Sequence, residues 1–194
     1  GISLNQNIDS DKSILAIEVI KSRDFYNHIL NLTNVKEKIY KSNLDFDNNH
    51  EFFIRNLITI NKDKNTGYIR LTATHTDAIF AKNLIELIVN QINNQLREKD
   101  LTDSTNAIKY LNEQYFTNTL TNMKSSINKL IEDQLQVQML SNVRKDYIFS
   151  YIDRPYVPMK KTSPIGFIYL FLGLFFGLSM GLIYIFAKNL LFKN

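Results

Sequence analysis

The chain has 194 residues, enough for one domain of ordinary size and a terminal extension. Its formal net charge of +4 comes from Lys and Arg interspersed with Asp and Glu, so the basic stripe of a nucleic-acid surface is missing. Cysteine is absent, which excludes disulfides, thiol catalysis and Cys-based zinc sites.

The sequence opens on Gly1 and shows no signal peptide, so an export signal or a first membrane helix is expected upstream. After Ser10, the run Ile14 to Ile20 reads as a helix, and Phe25, Ile29 and Leu32 continue as another. Ile58 and Ile60 alternate with Thr59 and Asn61, and Ile69, Leu71 and Ala73 alternate with Arg70, Thr72 and Thr74. Period two on both arms predicts paired strands, and Asp63 to Gly67 supplies the turn.

From residue 68 to 154 there is neither Gly nor Pro, which suits long helices. Thr76 is the expected N-cap, with Asp77 in the first turn. Phe80, Leu84, Ile88, Ile92 and Leu96 form one apolar stripe, while Lys82, Asn83, Glu86, Asn90 and Asn93 fall on other faces. The polar run Arg97 to Asn106 interrupts the stripe without a breaker, and a single continuous helix is expected through it. A second helix is predicted over Thr121 to Val143, returning the chain as a helical hairpin. Tyr147, Phe149 and Tyr151 alternate with Ile148, Ser150 and Ile152, which predicts a last strand joining the hairpin sheet.

Hydrophobic residues make up 44% of the chain, yet the mean hydropathy is −0.19, because the apolar excess is concentrated near the C-terminus. Ile165 to Ala187 contains no Asp, Glu, Lys or Arg. As a helix it would measure about 35 Å against about 30 Å of hydrocarbon, so a membrane-spanning segment is expected. Gly173, Gly177 and Gly181 recur every fourth residue and would form a flat face for a partner helix. Lys160 and Lys161 precede the segment and Lys188 and Lys193 follow it, so flanking charge leaves its orientation open.

Catalytic constellations are not evident. His28, His50 and His75 are widely separated, and the chain lacks a phosphate-binding glycine loop. The series Asn7, Asp9, Asp11 to Glu18 approaches a calcium-loop spacing but carries Lys12 where glycine is needed, and Asp45, Asp47 and Asn49 meet His50 in the same place. A non-enzymatic protein without cofactors or metals is therefore expected.

The residues from Pro155 onward form a pattern: Pro155, Pro158, Ser163 and Pro164, then Gly177 and Gly181. It resembles the proline- and glycine-rich signature of the polysaccharide co-polymerases, the chain-length determinant family. Ile165 departs from it, standing where the family usually has a basic residue. Ser13 to Phe25, Gly67 to Asn93 and Ser141 to Lys161 look like further segments of that family.

The elements together predict an α+β fold, with a small membrane-proximal α/β base, a long helical hairpin and a C-terminal transmembrane helix, and the resemblance implies two membrane helices with a periplasmic domain between them. The expected organisation is a periplasmic domain over 1–154, a proline-rich connector over 155–164, the membrane helix over 165–187 and a cytoplasmic tail over 188–194. The expected partners are further copies of the chain, a membrane polysaccharide polymerase, the bilayer and the growing glycan, with no nucleic acid. The implied activity is control of surface polysaccharide length, such as that of a lipopolysaccharide O-antigen, at the bacterial inner membrane. A sensory input domain and an envelope-spanning export adaptor are the alternatives.

Overall fold

A computed structural model of the chain describes residues 6–32, 35–117, 120–158 and 166–191, with side chains described except at 6–10, 166–169, 182–183 and 185–191. The chain divides into two compact units, Gly1–Val157 and Pro158–Asn194.

In the first unit, helices α1 (Gln6–Lys21) and α2 (Arg23–Leu30) meet at Ser22. The Ser22 hydroxyl accepts the Phe25 N–H at 3.2 Å and donates to the Val19 carbonyl at 2.7 Å, ending one helix and capping the next. Of the apolar run on α1, Ala16, Ile17 and Ile20 are buried while Ile14 and Leu15 stay about half exposed. Two short helices follow, α3 (Lys36–Ile39) and α4 (Phe46–Phe52), and a π-helical turn over Phe53–Leu57 leads into β1. None of these three elements has enough residues to display a helical period, so the sequence reading missed them.

The hairpin forms as predicted. Strands β1 (Ile58–Lys62) and β2 (Ile69–Ala73) pair antiparallel, with Ile60 opposite Leu71. The Asp63 carboxylate accepts the Asn65 N–H at 2.8 Å, and Gly67 takes φ +74°, a conformation that costs glycine nothing. The Asn65 N–H first, and then the Thr66 hydroxyl and N–H, hold the Asp63 carboxyl below its ordinary pKa.

Helix α5 (Ala78–Thr117) runs unbroken for 40 residues, about 60 Å. Its N-cap is Asp77 rather than Thr76: the Asp77 carboxylate accepts the Phe80 N–H at 3.0 Å. Helix α6 (Thr121–Val143) packs back along it. Leu84, Ile88 and Ile92 from α5 close a core with Phe25, Tyr26 and Ile29 of α2 and with Phe53, Leu57 and Ile58. At about 25 cal/mol per Å² of apolar surface removed from water, these buried side chains are the main favourable term for this unit.

Two expectations are corrected. The α+β architecture gives way to a mostly helical one: helix makes up 71% of the structure, beside a small two-stranded sheet. The predicted strand from Tyr147 to Ile152 does not form: at its centre Asn93 of α5 takes up the Ile148 N–H and both backbone groups of Phe149. The base is thus helical with one hairpin.

The second unit contains α7 (Gly166–Leu191). The expected C-terminal transmembrane helix is corrected: among the described residues, no helix is long and apolar enough to cross a membrane. The boundary between the units falls after Val157, inside the expected connector.

Candidate functional site: a polar stripe on the long helix

Polar residues on α5 recur at 86, 90, 93, 97 and 100, spacings of four and three that place them on one stripe. Opposite this stripe lies the segment that follows α6, from Arg144 to Pro155. An extended segment needs partners for its backbone N–H and C=O groups, and here side chains supply them.

Asn93 makes three of these bonds. Its Oδ1 accepts the Ile148 N–H at 3.0 Å and the Phe149 N–H at 2.9 Å, and its Nδ2 donates to the Phe149 carbonyl at 2.8 Å. It is only 5% exposed, so these groups have little access to water in its place. One turn further on, the Arg97 guanidinium donates from Nη2 to the carbonyls of Arg144 (2.8 Å) and Lys145 (2.7 Å).

Asp100 completes the series. Its Oδ2 accepts Lys12 Nζ from α1 at 2.5 Å and the Tyr147 hydroxyl. Lys12 also donates to Tyr147 Oη at 3.1 Å. Ser141 Oγ on α6 stands 3.0 Å from Tyr147 Oη and 2.9 Å from the Val137 carbonyl. The node therefore joins α1, α5, α6 and the returning segment.

Burial works against the Lys12 charge, but its hydrogen bonds to Asp100 and Tyr147, together with their charges, outweigh burial and raise its pKa. The Tyr147 ring lies within cation–π range of Lys12 Nζ (5.2 Å) and of the Arg97 guanidinium (5.9 Å). Further along, burial first, and then the charges of Glu86 and Asp146, push the Tyr151 hydroxyl up. Two grooves have walls formed by this segment. One, of about 310 Å³, includes Lys12, Asp146 and Ser150; the other, of about 300 Å³, includes Glu86, Asn90 and Arg154.

Periodicity puts Asn93 off the apolar stripe and makes Arg97 to Asn106 an interruption of it. Instead, Asn93, Arg97 and Asp100 bind the returning chain, Ser104 is buried, and Thr105 Oγ1 accepts Gln138 Nε2 at 2.8 Å. A search for polar as well as apolar residues at four- and three-residue spacing would have found the stripe.

Of the other singled-out residues, the side chains of Asn7 and Asp9 fall outside the described ones, and Glu18 pairs with Lys21 at 3.0 Å. Asp45 caps α4 by accepting the Asn48 N–H at 2.8 Å, and Asp47 pairs with Arg23 at 3.3 Å. Fully buried Asn49 spans the preceding loop: its Oδ1 accepts the Lys41 N–H, and its Nδ2 donates to the carbonyls of Lys41, Leu44 and Asp45. Among the described residues no group of three or more His, Cys, Asp or Glu is placed to hold a metal ion. The histidines are set apart as well: His28 meets Gln91, His50 meets the Lys21 carbonyl, and His75 meets the Lys38 carbonyl and accepts the Asp77 N–H.

Of the signature residues, Pro155 and Pro158 lie in non-helical chain, while Ser163 and Pro164 fall outside the described residues. Gly173, Gly177 and Gly181 lie on one stripe of α7, and a Cβ added at any of them meets nothing within 4 Å. Within the first unit the structure gathers the polar stripe and the returning segment, and Pro155 lines the second groove. Comparison of the sequence with protein-family models and with curated proteins finds no match.

Proposed function

We propose that this protein regulates the chain length of a surface polysaccharide without catalysing a reaction itself, as a homo-oligomer acting with a membrane polymerase. Its place would be the periplasmic side of the bacterial inner membrane. The observation that supports this most directly is the helical hairpin of α5 and α6, joined to a helical base and bearing large apolar side chains in solvent. Phe116 is 82% exposed and Met139 65%, and Leu130 and Leu135 are about half exposed. A scaffold that packs against further copies of itself needs such a surface, and an isolated monomer gains nothing from it. The signature running from Pro155 to Gly181 is the second support.

The test is a strain lacking the gene. Loss of a modal length, with a broadened ladder of surface glycan on a gel and restoration by the intact gene, is the expected result. An unchanged ladder would sink the proposal.

A further inference from the structure

The segment from Arg144 to Val157 is attached to the first unit largely through side chains. It has no strand or helix of its own, and the side chains bonded to it are Asn93, Arg97 and Asp100 of α5, joined at Tyr147 by Lys12 of α1 and Ser141 of α6. Its contact with the hydrophobic core is made by three adjacent residues. Tyr147 belongs to the core, and Ile148 and Phe149 pack partly against it. Beyond them, Ile152 and Tyr156 are about three-quarters exposed. The segment also ends where the second unit begins, at Pro158.

From this arrangement we infer that residues 144–157 form a releasable strap, and that Asn93 is its latch. Two of the three Asn93 bonds go to successive N–H groups and the third to a carbonyl, so one amide holds both sides of the strap backbone at its centre. The core of α2, Phe53–Leu57 and the first half of α5 is built without strap residues except Tyr147 and its two neighbours. Opening the strap therefore breaks a short series of polar contacts and withdraws Tyr147, Ile148 and Phe149 from one edge of the core, while its α2, Phe53–Leu57 and α5 members keep one another. In the open state the chain between α6 and Pro158 is an extended tether reaching up to about 46 Å at about 3.3 Å per residue. In the closed state its length is fixed by α5. The strap is thus a two-state device that sets how much free chain precedes the second unit.

Hydrogen exchange on the full chain, read at individual amides, tests this. In the wild type, the Ile148 and Phe149 amides should exchange about 30-fold faster than the buried amides of α2, because they open with the strap and not with the core. In Asn93→Ala they should exchange a further 30-fold faster or more, while α2 changes by less than about 3-fold. Tyr147→Phe, which keeps the ring and removes the hydroxyl bonded to Asp100, should give a smaller shift in the same residues. Equal exchange of strap and α2 amides in the wild type would overturn the inference, and that measurement stands even if a variant fails to fold. Unchanged exchange at Ile148 and Phe149 in Asn93→Ala would overturn the role given to Asn93.

Discussion

Along α5, Phe80, Leu84, Ile88, Ile92 and Leu96 are buried, whereas from Arg97 to Thr117 only Ser104 is. Hydrogen bonding along the helix is continuous, so the two halves share a backbone and differ in what surrounds it. The first half is fixed by a core drawn from α1, α2 and the turn before β1. The second half has α6 for a neighbour, and Ile127 and Ser141 are the buried residues of that helix. A helix beyond a core depends on its own propensity and on partner helices, since isolated helices are marginal in water. The lesson is that one helix can be an anchor at one end and a presented surface at the other. In the proposed oligomer, the presented end is where other copies would be met.

Breaking the anchored half should have the largest effect. Ile88 is 0% exposed, and Ile88→Ala should cost about 3–4 kcal/mol, the transfer term plus an unfilled cavity. Urea unfolding would measure it. A cost below about 1 kcal/mol would mean that the core does not close on α5 as described.

A smaller effect is expected at the start of the same half. The hydrogen bond from Lys38 to Asp77, 2.8 Å long, and then the Phe80 N–H, hold the Asp77 carboxyl below its ordinary pKa. Because the folded value is depressed, this stabilisation is complete above the ordinary carboxylate value of about 4 and disappears as pH falls through the lower folded value. Asp77→Asn keeps a side-chain oxygen for the cap and loses the charge. The variant should therefore be less stable than wild type at pH 6, and the gap should narrow at pH 3. A gap of the same size at both values would locate the effect in the cap alone.

The smallest effect belongs to the presented half. Leu130 on α6 is about half exposed, and Leu130→Gln should change monomer stability by no more than about 0.5 kcal/mol. In the proposed oligomer the same change should weaken self-association, measured by sedimentation. A large loss of monomer stability would erase the contrast between the halves.

Much of the first unit was legible in residues close together in sequence. The period of α5, the bounds of α6 and the Asp63–Gly67 turn all depend on neighbours within a few positions, where propensity and periodicity act. The continuity of α5 through Arg97–Asn106 follows from the lack of Gly and Pro there. The short elements α3, α4 and the π-helical turn were not legible, since they are held by loop-spanning contacts such as those of Asn49.

What the sequence by itself determined, then, is where the long helices and the hairpin form. It could not determine that the alternating run from Tyr147 to Ile152 fails to become a strand. Alternation fixes which side chains share a face, but a strand also needs a neighbour whose backbone groups are free. Asn93, 55 and 56 residues away from the groups whose N–H it accepts, occupies that place instead. Nor could it show that Asp100, Lys12 and Tyr147 converge, because 88 residues separate Lys12 from Asp100 and only the packing of α1, α5 and α6 brings them together. For α7, composition fixed a helix, while the described structure holds no helix long and apolar enough to cross a membrane. Local sequence sets the period of a segment; the fate of its polar groups is decided by whatever tertiary structure places against it.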